Sequence, residues 1–217
     1  MSTDLSFITN EENQNLKERF KILIKSTDFF DCLVGYFYSS GFHAIYPSLE
    51  DTQKIRILIG ISTNRETFNV MEEANKATQQ LFDFSHAETK QEVENLVLAE
   101  MEESEDNRNV EEGVHIFIEW IKTGKLEIRA YPSKKIHAKL YIMTFSEDDR
   151  DRGRVITGSS NFTQAGLVDN LEFNVELKNR SDYEFAKNKF DKLWADAVDV
   201  SEKYVQTIQD KTWLTQN

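Results

Sequence analysis

The run IHAKLYI carries His137 and Lys139 two positions apart, with Tyr141 two positions further on. Side chains along a strand alternate between faces, so this spacing sets an imidazole beside an ammonium and a phenol. Ile136, Ala138, Leu140 and Ile142 make the opposite face apolar. Further on, Gly158-Ser159-Ser160-Asn161 closes a short aliphatic run and opens a helical one. Glycine permits a tight strand-to-helix turn, and hydroxyls, an amide and free backbone N–H groups at a helix start attract phosphate. Taken alone, the segment also reads as a plain capped helix, with Asn161 as cap and Gln164 closing a capping box. Taken together, the two stretches supply a nucleophile, a fixed cation, a hydroxyl and an amide donor. That is the inventory a transferring phosphoryl group requires. Glu172, on a strand read over 170–177, can accept a hydrogen bond from the second imidazole nitrogen and fix its tautomer.

For these groups to meet, the chain must fold back between them. Residues 134–145 and 154–158 read as strands, and the charged loop 146–153 turns one into the other. Such a hairpin returns Ser159 and Asn161 to the level of His137 and Lys139. Around it, residues 29–38, 54–62 and 125–132 read as further strands. Helical spacing marks 9–26, with Thr9 or Asn10 as cap, then 111–125 with Gly124 as its stop, and 181–209. Residues 66–108 are polar, helical in pattern and free of Gly and Pro. Helices alternate with strands early and strands cluster late. The expected fold is α/β, with a mixed, largely parallel β-sheet and helices on both faces. The expected organisation is a single domain over 1–217 with an acidic helical insertion at about 83–112.

Charge argues in two directions. The formal net charge is −12, which by itself speaks against a nucleic-acid binder. It is unevenly spread, however. Residues 83–112 hold eleven acids against Lys90 and Arg108, whereas Lys122, Lys125, Arg129, Lys134, Lys135 and Lys139 face only Glu127 over 122–139. The basic stripe ends on the His137 motif, so Lys134, Lys135 and Tyr141 are candidates to touch a nucleic acid. The single cysteine, Cys32, excludes an internal disulfide and a cysteine-rich zinc site, and suits a reducing cytoplasm. His43, His86 and His115 lack partners at metal-ligand spacing and read as packing or surface residues. No apolar run is long enough to span a membrane, and the polar start of the chain does not read as a secretory signal.

His137-Ala138-Lys139, then Gly158-Ser159-Ser160-Asn161-Phe162-Thr163, then Glu172 resembles the signature of the phospholipase D superfamily, and its nuclease branch in particular. Nearly all of the resemblance lies in 134–176. It implies a phospholipase-D-like domain that works without metal or cofactor. In it His137 is the nucleophile of a phosphohistidine intermediate. Lys139, Asn161 and Ser159 surround the phosphate, and Glu172 orients a histidine. Two departures stand out: Thr144 occupies the position of the family's aspartate, and the following loop is longer.

The mechanism wants a second histidine as general acid, and only one motif is present. The expectation is therefore a two-fold homodimer with the site at its axis. The resemblance extends to the N-terminal phospholipase-D-like domain of bacterial helicase-type proteins and to restriction endonucleases. It implies DNA as substrate, and a helicase or ATPase module on the same polypeptide. The alternative is a weak or inactive module for DNA docking or dimerisation. A phospholipid phosphodiesterase is the third reading, and the acidity and the lack of a basic amphipathic helix speak against it.

Overall fold

The computed structural model describes residues 6–11, 15–35, 37, 39–60, 90–91, 94, 108–131 and 136–211. Most of the helical pattern over 66–108 and of the acidic stretch 83–112 lies outside these residues. One eight-stranded sheet organises the rest. Its strands are β1 Phe7–Ile8, β2 Thr27–Val34, β3 Lys54–Gly60, β4 Leu126–Tyr131, β5 Lys139–Phe145, β6 Gly153–Gly158, β7 Asn174–Leu177 and β8 Val198–Asp199, in the spatial order β1-β7-β6-β5-β2-β3-β4-β8. The helices are α1 Leu16–Ile24, α2 Ser39–Ile45, α3 Arg108–Lys122, α4 Arg180–Ala195 and α5 Ser201–Lys211.

The mixed α/β reading holds, but the sheet is mostly antiparallel rather than largely parallel. Only β2–β3 and β3–β4 pair parallel. A parallel pair needs a crossover, and helices lie between those strands in the chain. The later strands β5, β6 and β7 follow one another as an antiparallel meander, and β5 docks antiparallel on β2.

Both faces of the sheet are covered. On one, Phe30, Cys32 and Val34 of β2, Ile55, Ile57 and Ile59 of β3, and Tyr141 and Met143 of β5 form the larger core under α1, α2, α3 and α5. On the other, Tyr183, Ala186, Phe190 and Trp194 of α4 cover Leu33, Leu58, Ile142 and Val155. Their helical spacing gives α4 one apolar stripe. Double coverage explains why β2 and β3 are nearly continuous in apolar residues. Asp31 is a charged exception, fully buried beneath α4. Arg56 grips it through two bonds of 2.6 and 2.8 Å, and Lys187 adds a third at 2.9 Å.

Several boundaries differ from expectation: β5 begins at Lys139 and β7 at Asn174, so His137 and Glu172 stand just ahead of the strands read for them. The first helix starts at Leu16, capped by Asn15, whose side chain accepts from Glu18 N–H at 2.9 Å. The helix expected over 181–209 breaks in two. Between the halves, β8 pairs with the open edge of β4, and Ser201 Oγ accepts from Ile128 N–H at 2.8 Å. Nothing local in 195–200 breaks a helix; the unpaired edge of β4 does.

Candidate active site

β5 begins and β6 ends at the same end of the sheet. Leu140 pairs with Thr157, and the Thr157 hydroxyl donates to the Lys139 carbonyl at 2.8 Å. Lys139 pairs with Val34 of β2 on its other side. His137 stands just ahead of β5 and is exposed, while Lys139 is half-buried. Lys139 Nζ lies 3.3 Å from His137 Nδ1. An ammonium carries no lone pair, so Nδ1 is the acceptor in that contact.

At the end of β6, Ser159 is held from three directions. Its N–H donates to Phe173 O at 3.1 Å, and its Oγ accepts from Phe173 N–H at 3.0 Å. The same hydroxyl donates its proton to the Glu172 carboxylate. Ser160 is fully buried and faces Asn174, which donates to its Oγ at 2.8 Å and accepts from its N–H at 3.3 Å. Tyr141 OH donates to the Ser160 carbonyl at 2.8 Å. These bonds fix the backbone on which Asn161 stands.

Asn161 is not the cap of the turn that follows. The residue at that position is Gln164, and it is Thr163 Oγ1 that accepts from Gly166 N–H, at 3.0 Å. The turn itself is π-helical over Ala165–Asp169, a form that often marks functional sites. Freed from capping, Asn161 leaves Oδ1 buried without a hydrogen-bond partner. A buried acceptor without a partner costs about 1–3 kcal/mol, an outlay that stability alone does not call for. From the other side, Phe37 bridges to Phe162, and Gly41 packs so close that an added Cβ would sit 2.4 Å from the Phe162 carbonyl oxygen.

The expected residues thus divide. His137 and Lys139 touch each other, and so do Ser159 and Glu172; both pairs and Asn161 sit at the shared end of β5 and β6. Glu172 meets a hydroxyl of its own chain rather than an imidazole. Tyr141, expected on the nucleic-acid face, is fully buried against Phe20 at 5.0 Å between ring centres and cannot stack on a base. The period-2 reading gave its face correctly, but that face is roofed by α1 beyond Lys139. Burial pushes the Tyr141 phenol well up, so it stays a neutral donor.

Lys134 and Lys135 lie outside the described residues. The rest of the basic stripe is partly committed to the fold. Lys125 caps the Glu50 carbonyl and lies over the Trp120 ring, and Arg129 pairs with Glu127 and the Trp194 carbonyl. Thr144 lies on the α4 face with Leu140 and Ile142, its hydroxyl 2.8 Å from Tyr183 OH. The departure at this position therefore falls on the face of β5 away from Lys139. Reasoning from sequence missed Asn174, although it shares the inward face of β7 with Glu176 at period 2. It also missed Leu171 and Phe173, which flank Glu172 and are 65% and 63% exposed. Among the described residues no three His, Cys, Asp or Glu side chains cluster as metal ligands would, and no helix is long and apolar enough to cross a membrane.

Comparison with known proteins adds the following. The chain resembles in fold a phosphatidylserine synthase of Haemophilus influenzae, with a TM-score of 0.52 and 15% identity, over 98% of this chain and 41% of that one. It matches the phospholipase D family member Nuc of Salmonella typhimurium with a TM-score of 0.49 and 16% identity, over 89% of this chain and 95% of Nuc. It matches TrmBL2, an archaeal chromatin protein, with a TM-score of 0.45 and 15% identity, over 91% of this chain. The chain spans 55% of the length of that chromatin protein. No curated protein matches. The family model described as "cardiolipin synthase, PLD-like domain" matches residues 23–194, which takes in both motif stretches and the strands that carry them. With that match over most of its length, the chain belongs to the phospholipase-D-like family.

Proposed function

We propose that this chain is a metal-independent phosphodiesterase that cleaves DNA through a covalent intermediate on His137. The observation that carries the reading is the contact of Lys139 Nζ with His137 Nδ1 at the sheet end where Ser159, Asn161 and Glu172 also gather. An arriving phosphate draws the ammonium away from Nδ1 onto its own oxygens. That frees Nδ1 to hold the ring proton, so that the other nitrogen offers its lone pair to phosphorus. The P–N bond forms and the bond to the leaving sugar oxygen breaks. Asn161, through its amide Nδ2–H, and Lys139 hold the phosphate. Ser159, whose only proton is committed to Glu172, steadies that carboxylate rather than binding phosphate itself. Water then attacks the phosphohistidine and restores the imidazole.

The leaving oxygen needs a proton, and the motif supplies a single histidine, His137. A second copy supplies the other His137 across a two-fold axis. Leu171 and Phe173 support this, because two large apolar side chains stay exposed on either side of Glu172. The run Asn161-Phe162-Thr163 through Glu172, which resembles the nuclease branch, supports DNA as the substrate, cleaved by a single cytoplasmic domain that serves a helicase-type partner module.

The test is cleavage of single- and double-stranded DNA and of a phospholipid, all with EDTA present. DNA turnover that vanishes in His137→Ala is the expected result. Head-group release without DNA cleavage would move the reading to lipids. A folded protein that binds DNA without turnover would reduce it to a docking module. Light scattering at micromolar concentration that shows only monomer would sink the shared site.

A further inference from the structure

We propose that Asn10 is a positioning residue that clasps the loop carrying Asn161 and Glu172. This deepens the reading above and rests on it for its catalytic consequence.

Asn10 is the one non-glycine residue with positive φ among those described, at 61°. Asparagine tolerates this left-handed conformation better than most residues, and here the conformation aims the side chain into the motif loop. Its Nδ2 donates to Gly166 O and to Asn170 O, each at 3.0 Å. Its Oδ1 accepts from Leu16 N–H at 2.8 Å. Both amide protons are thus used, and the oxygen serves the start of α1. Asn10 is a helix-end acceptor, as its sequence position suggests, but Asn15 is the cap and the donors of Asn10 go elsewhere.

One of those carbonyls lies within the π-helical turn Ala165–Asp169 and the other directly after it. Gly166 presses directly on Asn161; an added Cβ there would lie 2.4 Å from Asn161 O and 3.0 Å from Asn161 N. On the far side of the turn, Glu172 N–H donates to Thr9 O at 3.3 Å. Residues 9 and 10 therefore tie down the middle and the far end of the segment between the phosphate-facing amide and the carboxylate. Neither residue touches the reacting atoms. A loop that drifts by about 1 Å costs roughly a hundredfold in rate, so the clasp acts on turnover through geometry.

Asn10→Asp isolates the effect. Aspartate has the same shape, tolerates the same φ and still accepts from Leu16 N–H, but it offers the two carbonyls no donor. Two measurements read it. Amide hydrogen exchange should speed up about tenfold or more at Leu167, Asn170 and Glu172, while β2 and β3 stay protected. On DNA, kcat should fall about 10- to 100-fold with KM within about twofold, and the melting temperature should drop by only a few degrees. Unchanged exchange at those amides would overturn the clasp whatever the activity. Faster exchange with wild-type kcat would overturn its catalytic role. If the wild type itself fails to turn over DNA or lipid, the phosphodiesterase reading fails, and exchange alone still decides whether the clasp exists.

Discussion

Ser159 donates its hydroxyl proton to Glu172, and the backbone N–H of Phe173 donates back to the same oxygen at 3.0 Å. The site's carboxylate is thereby locked to the end of β6 before any substrate arrives. Ser159→Ala should lower kcat about a hundredfold, comparable to losing one preorganised donor. Glu172→Ala should do the same, and the double variant should be little worse than either single one. Single-turnover kinetics on all three would check this. Additive losses would mean that the two side chains act separately.

Thr144 stands where the family signature has an aspartate, and its hydroxyl meets Tyr183 OH at 2.8 Å. The pair joins β5 to α4 on the face opposite the large core. Tyr183→Phe should cost about 0.5–1.5 kcal/mol of stability and leave kcat unchanged. Thr144→Asp should not raise kcat either. Urea unfolding beside a cleavage assay separates the two quantities; a Thr144→Asp gain in turnover would place this position in the chemistry.

Asp31 is the charged centre under α4. Its side chain is 1% exposed and faces Arg56 and Lys187, and the Arg56 guanidinium stacks over Phe190 at 4.8 Å and Trp194 at 5.2 Å. Breaking one partner of a buried ion pair costs about 3–5 kcal/mol, because the remaining charges stay buried. Asp31→Ala should lose that amount, seen as an early urea midpoint. A loss under 1 kcal/mol would show that Asp191, 2.7 Å from Arg56, suffices for both cations.

His43 gives stability a pH dependence. It packs against Gly113 of α3, where an added Cβ would lie 2.1 Å from Nδ1, and neither ring nitrogen has a hydrogen-bond partner. Burial lowers its pKa to about 4. The folded state thus resists the proton that the unfolded chain binds near pH 6.5. Stability is therefore full above that value, falls as pH drops towards 4, and by pH 4 the contribution of His43 has fallen by about 3 kcal/mol. Unfolding free energies at pH 7 and pH 4.5 should differ less in His43→Leu than in wild type. An equal difference would trace the acid sensitivity to carboxylates instead.

The hairpin return to Ser159 and the neighbourhood of His137 and Lys139 were legible in the sequence, although β5 begins only at Lys139 and leaves His137 just ahead of it. They rest on period-2 alternation and on glycine at a turn, which are local rules. What the sequence could not decide were relations between distant segments. Whether β5 pairs parallel or antiparallel with β2 depends on which edges remain open once the helices dock. The break before β8 has no local cause and answers the edge of β4. Tyr141 carries the same alternation as His137, yet α1 buries the one and leaves the other in solvent. Glu172 stands within reach of several partners in sequence logic. It meets Ser159 because Phe173 pins the backbone of that serine, and Asn10 and Thr9, more than 150 residues earlier in the chain, hold the loop in place. Local pattern supplied the chemistry of the groups, and long-range packing decided which of them touch.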